Sequence, residues 1–218
     1  MKRLIAAALI LSLSFGVLTG CNGNSEEIAD DAAIQKAIID EFNIISQIPR
    51  ESGHERAMSS YLRSWSKENG FEVVRDSLNN VIISKPASAG YEDAPTTILQ
   101  CNMDSKIAVE EGSDFNPLSD PITPVIEEND MKADGTSLGA KSGIGVATAL
   151  YILKNAQQHG PIKALFTTDG EAGMTGAEKL KAKYLDGDYL INLGWNSDRS
   201  IGLGSGGSAD YDMRHDIK

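Results

Sequence analysis

Three acidic side chains stand where chemistry could gather. Asp104 follows the apolar run 96–101, and Asp169 and Glu171 follow the run 162–168. If those runs are strands, the carboxylates sit at strand tips, where α/β sheets collect ligands. Convergent carboxylates there suit a hard or borderline cation. The same residue types also serve as turn and helix-capping groups. A further charge, Lys141, lies in the glycine-containing turn DGTSLGAKSG. Other constellations carry less. Gly143-Ile144-Gly145 lacks the third glycine of a dinucleotide loop, since position 148 is Thr, and close helix–sheet packing accounts for it. His54, His159 and His215 do not pair at ligand spacing, so each reads as structural or solvated. No G-x-S-x-G occurs, and Gly204 to Ser208 reads as a turn.

The elements that must position these residues follow from periodicity. Ile34, Ala37, Ile38, Phe42 and Ile45 are spaced as one stripe of a helix over 31–46, which Pro49 ends. Ser52 and Glu55 match a capping box for a second helix to about Asn69, with Met58, Leu62 and Trp65 inward and Gly70 just past its end. Short strands are expected over 71–76 and 81–84, joined through Asn79-Asn80. Further strands are expected over 96–101, 162–168 and 189–193, with Asn102-Met103-Asp104, Asp169-Gly170-Glu171 and Gly194 at their tips. Between them, 105–130 is polar and proline-marked and folds back over the tips. Ser142 is read as the cap of a buried helix 143–155, and Thr175 and Glu178 as a second capping box. An edge strand over 199–203 and a final strand or tail over 205–218 complete the chain. Strands alternating with helices give an α/β fold, with a mixed, mainly parallel sheet flanked by helices.

The N-terminus belongs to export rather than to the fold. Lys2 and Arg3 precede the mostly apolar run 4–17, which is too short for a membrane span of about 20 residues. Leu18-Thr19-Gly20-Cys21 resembles a bacterial lipobox, in which the cysteine is acylated and becomes the new N-terminus. Residues 1–21 are thus read as a lipoprotein signal, 22–31 as a flexible acidic tether and 32–218 as one domain. The expected location is membrane-anchored through Cys21. Asn22 points to the outer membrane, facing the periplasm, if the host is Gram-negative. With Cys21 acylated, Cys101 has no disulfide partner. The chain carries a net −11; without Lys2 and Arg3, 18 basic residues face 31 acidic ones, a net −13. That surface disfavours nucleic acid and otherwise serves solubility.

From about Ile48 onward the chain resembles the co-catalytic zinc metallopeptidases, particularly the bacterial aminoacyl-histidine dipeptidases. The segments that carry the resemblance are 53–90 (GHERAMSSYL to KPASAG), TILQCNMD, DPITPVI, GTSLGAKSGIGVATAL, HGPIKALFTTDGEAGMTGA and DYLINL. They match the N-terminal part of a full family member, without its lid domain and later catalytic segment. The resemblance implies zinc as cofactor and peptides as ligands. It also assigns roles, and most positions depart from them. The family's His-x-Asp reads Asn102-Met103-Asp104, which loses the ligand and keeps the orienting carboxylate. The bridging aspartate is Lys141, the general base is Gly170, and the aspartate ligand after the last strand is Gly194. Glu171 alone keeps a ligand position. Asp169 is one residue off and points to the opposite strand face. A catalytic zinc needs about three protein ligands. The expected function is therefore a lipid-anchored dipeptidase homologue without zinc-dependent hydrolysis and with no bound zinc. The alternatives are an active Xaa-His dipeptidase with an altered site, and a non-catalytic envelope interaction protein. Lys141 is expected to pair with Asp104 or Glu171.

Overall fold

The computed structural model describes residues 31–128, 130–194, 200 and 202–204. Asn24–Gly194 forms one compact unit. Met1–Gly23 and Trp195–Lys218 form a second unit, of which only residues 200 and 202–204 are described. Cys21, most of the tether, His215 and the expected tail 205–218 lie outside the described residues, as does part of the expected edge strand 199–203.

The first unit is an α/β layer built on a five-stranded sheet. Its strands are β1 (Glu72–Arg75), β2 (Val81–Lys85), β3 (Thr97–Asn102), β6 (Ile162–Thr167) and β7 (Tyr189–Asn192), in the order β1-β2-β6-β3-β7. β2 runs antiparallel to both of its neighbours, β1 and β6, whereas β6, β3 and β7 are mutually parallel. The sheet is mixed, with its parallel half carrying the three strand tips. A separate hairpin joins β4 (Pro124–Glu127) and β5 (Asp130–Ala133).

Alternation along the strands divides the core. Val81, Ile83, Leu99, Cys101, Ala164 and Phe166 face α1 (Asp31–Ser46), α2 (Arg56–Glu68) and α3 (Ala140–Asn155). These helices contribute Phe42 and Ile45, Met58, Leu62 and Trp65, and Val146, Leu150 and Leu153. Full burial of one such aliphatic side chain is worth about 1.5–3 kcal/mol. The opposite face is thinner: Ile82, Ile98 and Leu165 pack under Leu180 and Tyr184.

α1 and α2 bury the stripes that their spacing predicts, and Gly70 follows α2 at φ +77°. α3 begins at Ala140, earlier than the expected Gly143, behind a left-handed Gly139. A Cβ at Gly143 would lie 2.5 Å from the Phe42 ring, and one at Gly145 2.9 Å from the Leu193 carbonyl. Close packing thus accounts for both glycines. The hairpin β4–β5, which begins at the end of the polar run 105–130 and continues to Ala133, was not expected. Among the described residues, no helix is long and apolar enough to cross a membrane.

Neither expected capping box forms. α2 starts after Glu55, without a side-chain cap, and Ser52 donates instead to Asp104. The short helix α4 (Thr175–Glu178) likewise lacks a side-chain cap at Met174, and the Thr175 hydroxyl turns to Asp169. Ser142 is the third residue of α3 rather than its cap. In each case the hydroxyl donates to a carboxylate or carbonyl at the strand tips instead of accepting from a helix N–H.

Candidate functional site

Asp104 lies two residues beyond β3 and is fully buried. A buried carboxylate needs several donors to offset its lost hydration. Four donors reach it. Oδ1 accepts from the Gly170 N–H at 2.8 Å and Asn102 Nδ2 at 3.0 Å. Oδ2 accepts from Ser52 Oγ at 2.7 Å and the Glu171 N–H at 2.9 Å. One side chain therefore ties the α1–α2 loop and the tips of β3 and β6 together.

A buried cation lies behind this hub. Arg50 is 3% exposed; it donates to Ser142 Oγ at 3.1 Å and to the Gly139 carbonyl at 2.9 Å. Ser142 in turn donates to the Asp104 carbonyl at 2.5 Å. Burial lowers the Arg50 pKa to about 10, against the attraction of Asp104, so the guanidinium stays charged at neutral pH. The start of α3 is thereby fixed to the β3 tip.

The β6 tip is shaped by Asp169. Its backbone is left-handed, with φ +58°, which aspartate tolerates better than most residues. The sharp turn aims the next two N–H groups at Asp104. The Asp169 N–H is itself held at 2.8 Å by Glu55 Oε1, a buried carboxylate that also accepts from Gly53 N–H. The Asp169 carboxylate points elsewhere, accepting from Thr175 Oγ1 at 2.6 Å. That hydroxyl, then the Gly173 N–H, holds its pKa below the ordinary carboxylate value. Asn80, fully buried, bridges the Thr168 N–H and the Gly176 carbonyl and anchors the rest of the loop.

Glu171 completes the cluster. Lys141, the second residue of α3, places Nζ 3.0 Å from both Glu171 carboxylate oxygens. The lysine side chain is 46% exposed and the glutamate 22%. Asn102 Nδ2 also lies 3.3 Å from Glu171 Oε1. A Cβ on Gly194, just past β7, would lie 3.5 Å from Asn102 Oδ1. Positions 102, 104, 141, 170, 171 and 194 thus cluster at the sheet's parallel end. His54 and His159 do not join them: each ring Nδ1 lies near a local backbone carbonyl.

This donor set does not fit a pair of zinc ions. Both Asp104 oxygens are used by N–H and O–H donors, and Glu171 is used by Lys141 and Asn102. The remaining positions supply an amide, an ammonium and two glycines. Among the described residues, no three of His, Cys, Asp and Glu are grouped to hold a metal.

Sequence reasoning named the tip residues but missed their supports, Arg50, Ser52, Glu55 and Asn80. Ser52 and Glu55 were visible only as a local cap, and nothing local marks Arg50 or Asn80 as buried.

No family model matches the chain. Two relatives are nonetheless clear. The chain is 39% identical over 173 residues to the cytosol non-specific dipeptidase of Escherichia coli (strain K12), a match covering 79% of this chain and 36% of that protein. It superposes on the aminoacylhistidine dipeptidase of Vibrio alginolyticus with TM-score 0.69 and 43% identity, covering 72% of this chain and 32% of the other. A Staphylococcus aureus tripeptidase shares the fold, with TM-score 0.60 and 23% identity over 72% of this chain and 43% of its own. The chain spans about a third of the length of the two dipeptidases. Over about three quarters of its own length, it is homologous to the peptidase family that contains the cytosol non-specific dipeptidase and aminoacylhistidine dipeptidase.

Proposed function

We propose that this chain is a lipid-anchored homologue of the aminoacyl-histidine dipeptidases that does not carry out zinc-dependent hydrolysis. One observation carries the reading: Lys141 Nζ sits 3.0 Å from both oxygens of Glu171, the single retained ligand position. A zinc ion would have to displace that ammonium and then find two further ligands among Asn102, Gly170 and Gly194, which supply no anionic group. Hydrolysis also needs a base to take a proton from water. Position 170 has no side chain, and Asp169 is turned toward Thr175. The side chains present satisfy one another: Lys141 and Asn102 meet Glu171, and four donors meet Asp104. Clustered carboxylates without such partners would be strongly disfavoured.

The anchor rests on Cys21 behind an apolar run, and the partly exposed surface around Lys141 and Glu171 is the place for any retained peptide binding. The reading is tested by incubating the purified mature chain, supplied with zinc, with an Xaa-His dipeptide and measuring released histidine. No release above the rate without protein is expected. A second reading, an active dipeptidase with an altered site, is favoured by the 39% identity to a working relative's sequence. Turnover abolished by a chelator would establish it in place of the first.

A further inference from the structure

The β6 tip and the β3 tip approach each other more closely than two side chains allow. A Cβ built on Gly170 would lie 2.4 Å from Asn102 Cβ and 2.8 Å from Asn102 Cγ. Contacts under about 3 Å do not occur between real side-chain carbons, and Asn102 Cβ is the rigid root of its side chain rather than a movable end. Any residue except glycine at 102 carries that same atom. The approach is built in from both sides. β3 and β6 pair in parallel, with Asn102 opposite Thr167, so position 102 is fixed by the ladder. The 169–171 turn is pulled down by its two N–H bonds to Asp104 and by the Glu55 bond to Asp169 N–H.

We infer that Asn102 and Gly170 form a steric pair that shuts this site at the level of the backbone. The site has not merely lost side chains. On this backbone a side chain at 102 and a side chain at 170 exclude each other. The resemblance assigns a histidine ligand and a glutamate base to those two positions. Restoring both residues here would require the β6 tip to move away from Asp104, breaking the bonds that hold it. The Asp104 network and the Asn102–Gly170 contact therefore act together as a latch between the two central parallel strands. The inference deepens the non-hydrolytic reading of the same site and rests on it only for its consequence. Its test uses neither zinc nor substrate, so its failure is distinct from a failure of that reading.

The test is a double-mutant cycle on the full mature chain in chelator, read by thermal unfolding. Gly170→Ala is expected to lower the midpoint by about 4–10 °C, the range for overpacking in a domain of this size. Asn102→Gly lowers it separately, through the loss of its amide hydrogen bonds. The double variant N102G/G170A is expected to lose less than the sum of the two by at least about 4 °C, because the clashing atom is gone. If G170A alone does not fold, the double variant is expected to fold, with the circular dichroism of the parent. Strictly additive losses or a G170A midpoint equal to the parent's would each overturn the inference, as would a double variant that fails to fold where G170A alone also fails.

Discussion

Replacing Asp104 by asparagine keeps its shape and removes one acceptor and one charge, which makes it the sharpest probe of the hub. The amide can sit two ways. With its NH2 toward Gly170 and Asn102, it would face the Gly170 N–H, which cannot turn away, and an Asn102 amide whose flip would set its oxygen against the Asp104 carbonyl and Glu171. With its NH2 toward Ser52 and Glu171, the Ser52 hydroxyl can rotate to accept, and only the Glu171 N–H is orphaned. The second arrangement is therefore the one adopted. An orphaned buried N–H costs about 1–3 kcal/mol. The remaining bonds lose their charge assistance, and the buried Arg50 loses the attraction of that carboxylate, together adding about 1 kcal/mol. The expected loss is about 2–4 kcal/mol, large beside a total stability of about 5–15 kcal/mol. Urea unfolding at neutral pH, with and without chelator, measures it. The loss should be the same in both buffers, since the partners of Asp104 are protein groups. A D104N variant within about 0.5 kcal/mol of the parent would refute the reasoning. So would a loss that appears only when zinc is present.

Three further outcomes follow from the same structure. Lys141→Met should change stability by no more than about 1 kcal/mol in urea unfolding, because the lysine is nearly half exposed and its ion pair is screened by solvent. Thr175→Val should flatten the acid limb of the stability–pH curve. Asp169 has a depressed folded-state pKa, so its contribution is present above the ordinary carboxylate value and is lost as pH falls through the folded one. Removing the hydroxyl raises that pKa and shrinks the contribution, as stability measured from pH 7 down to pH 3 will show. Cys101 should not react with a thiol reagent in the native chain and should react promptly in denaturant, because it is fully buried and burial pushes its thiol pKa up.

Much of the frame was legible in the sequence. α1 is bounded by Asp31 and Ser46 as its apolar spacing required, and the strand runs 81–84, 162–168 and 189–193 fall within a residue or so of the observed strands. Periodicity works there because burial on one face is a local pattern. The hairpin β4–β5 escaped because five of its eight strand residues are exposed and three of those are charged, leaving no apolar rhythm to read. The hydroxyls misled for a different reason. Ser52 and Thr175 obey local capping spacing, but Ser52 bonds a carboxylate 52 residues away and Thr175 one that lies before its own helix. A spacing rule weighs only the nearest backbone, and it does not see a carboxylate that the fold brings within reach of the hydroxyl. The identity of the site residues was readable position by position, whereas the contact of Asn102 with Gly170 was not. That contact arises from strand register and a left-handed Asp169, neither of which a residue type announces.

If Lys141 and the donors around Asp104 stand where the resemblance places metal, the purified chain holds no zinc pair. Zinc content, measured by mass spectrometry after equilibration with zinc and removal of the free ion, decides it. Far less than one zinc per chain is expected. Two tightly held zinc ions per chain would contradict it.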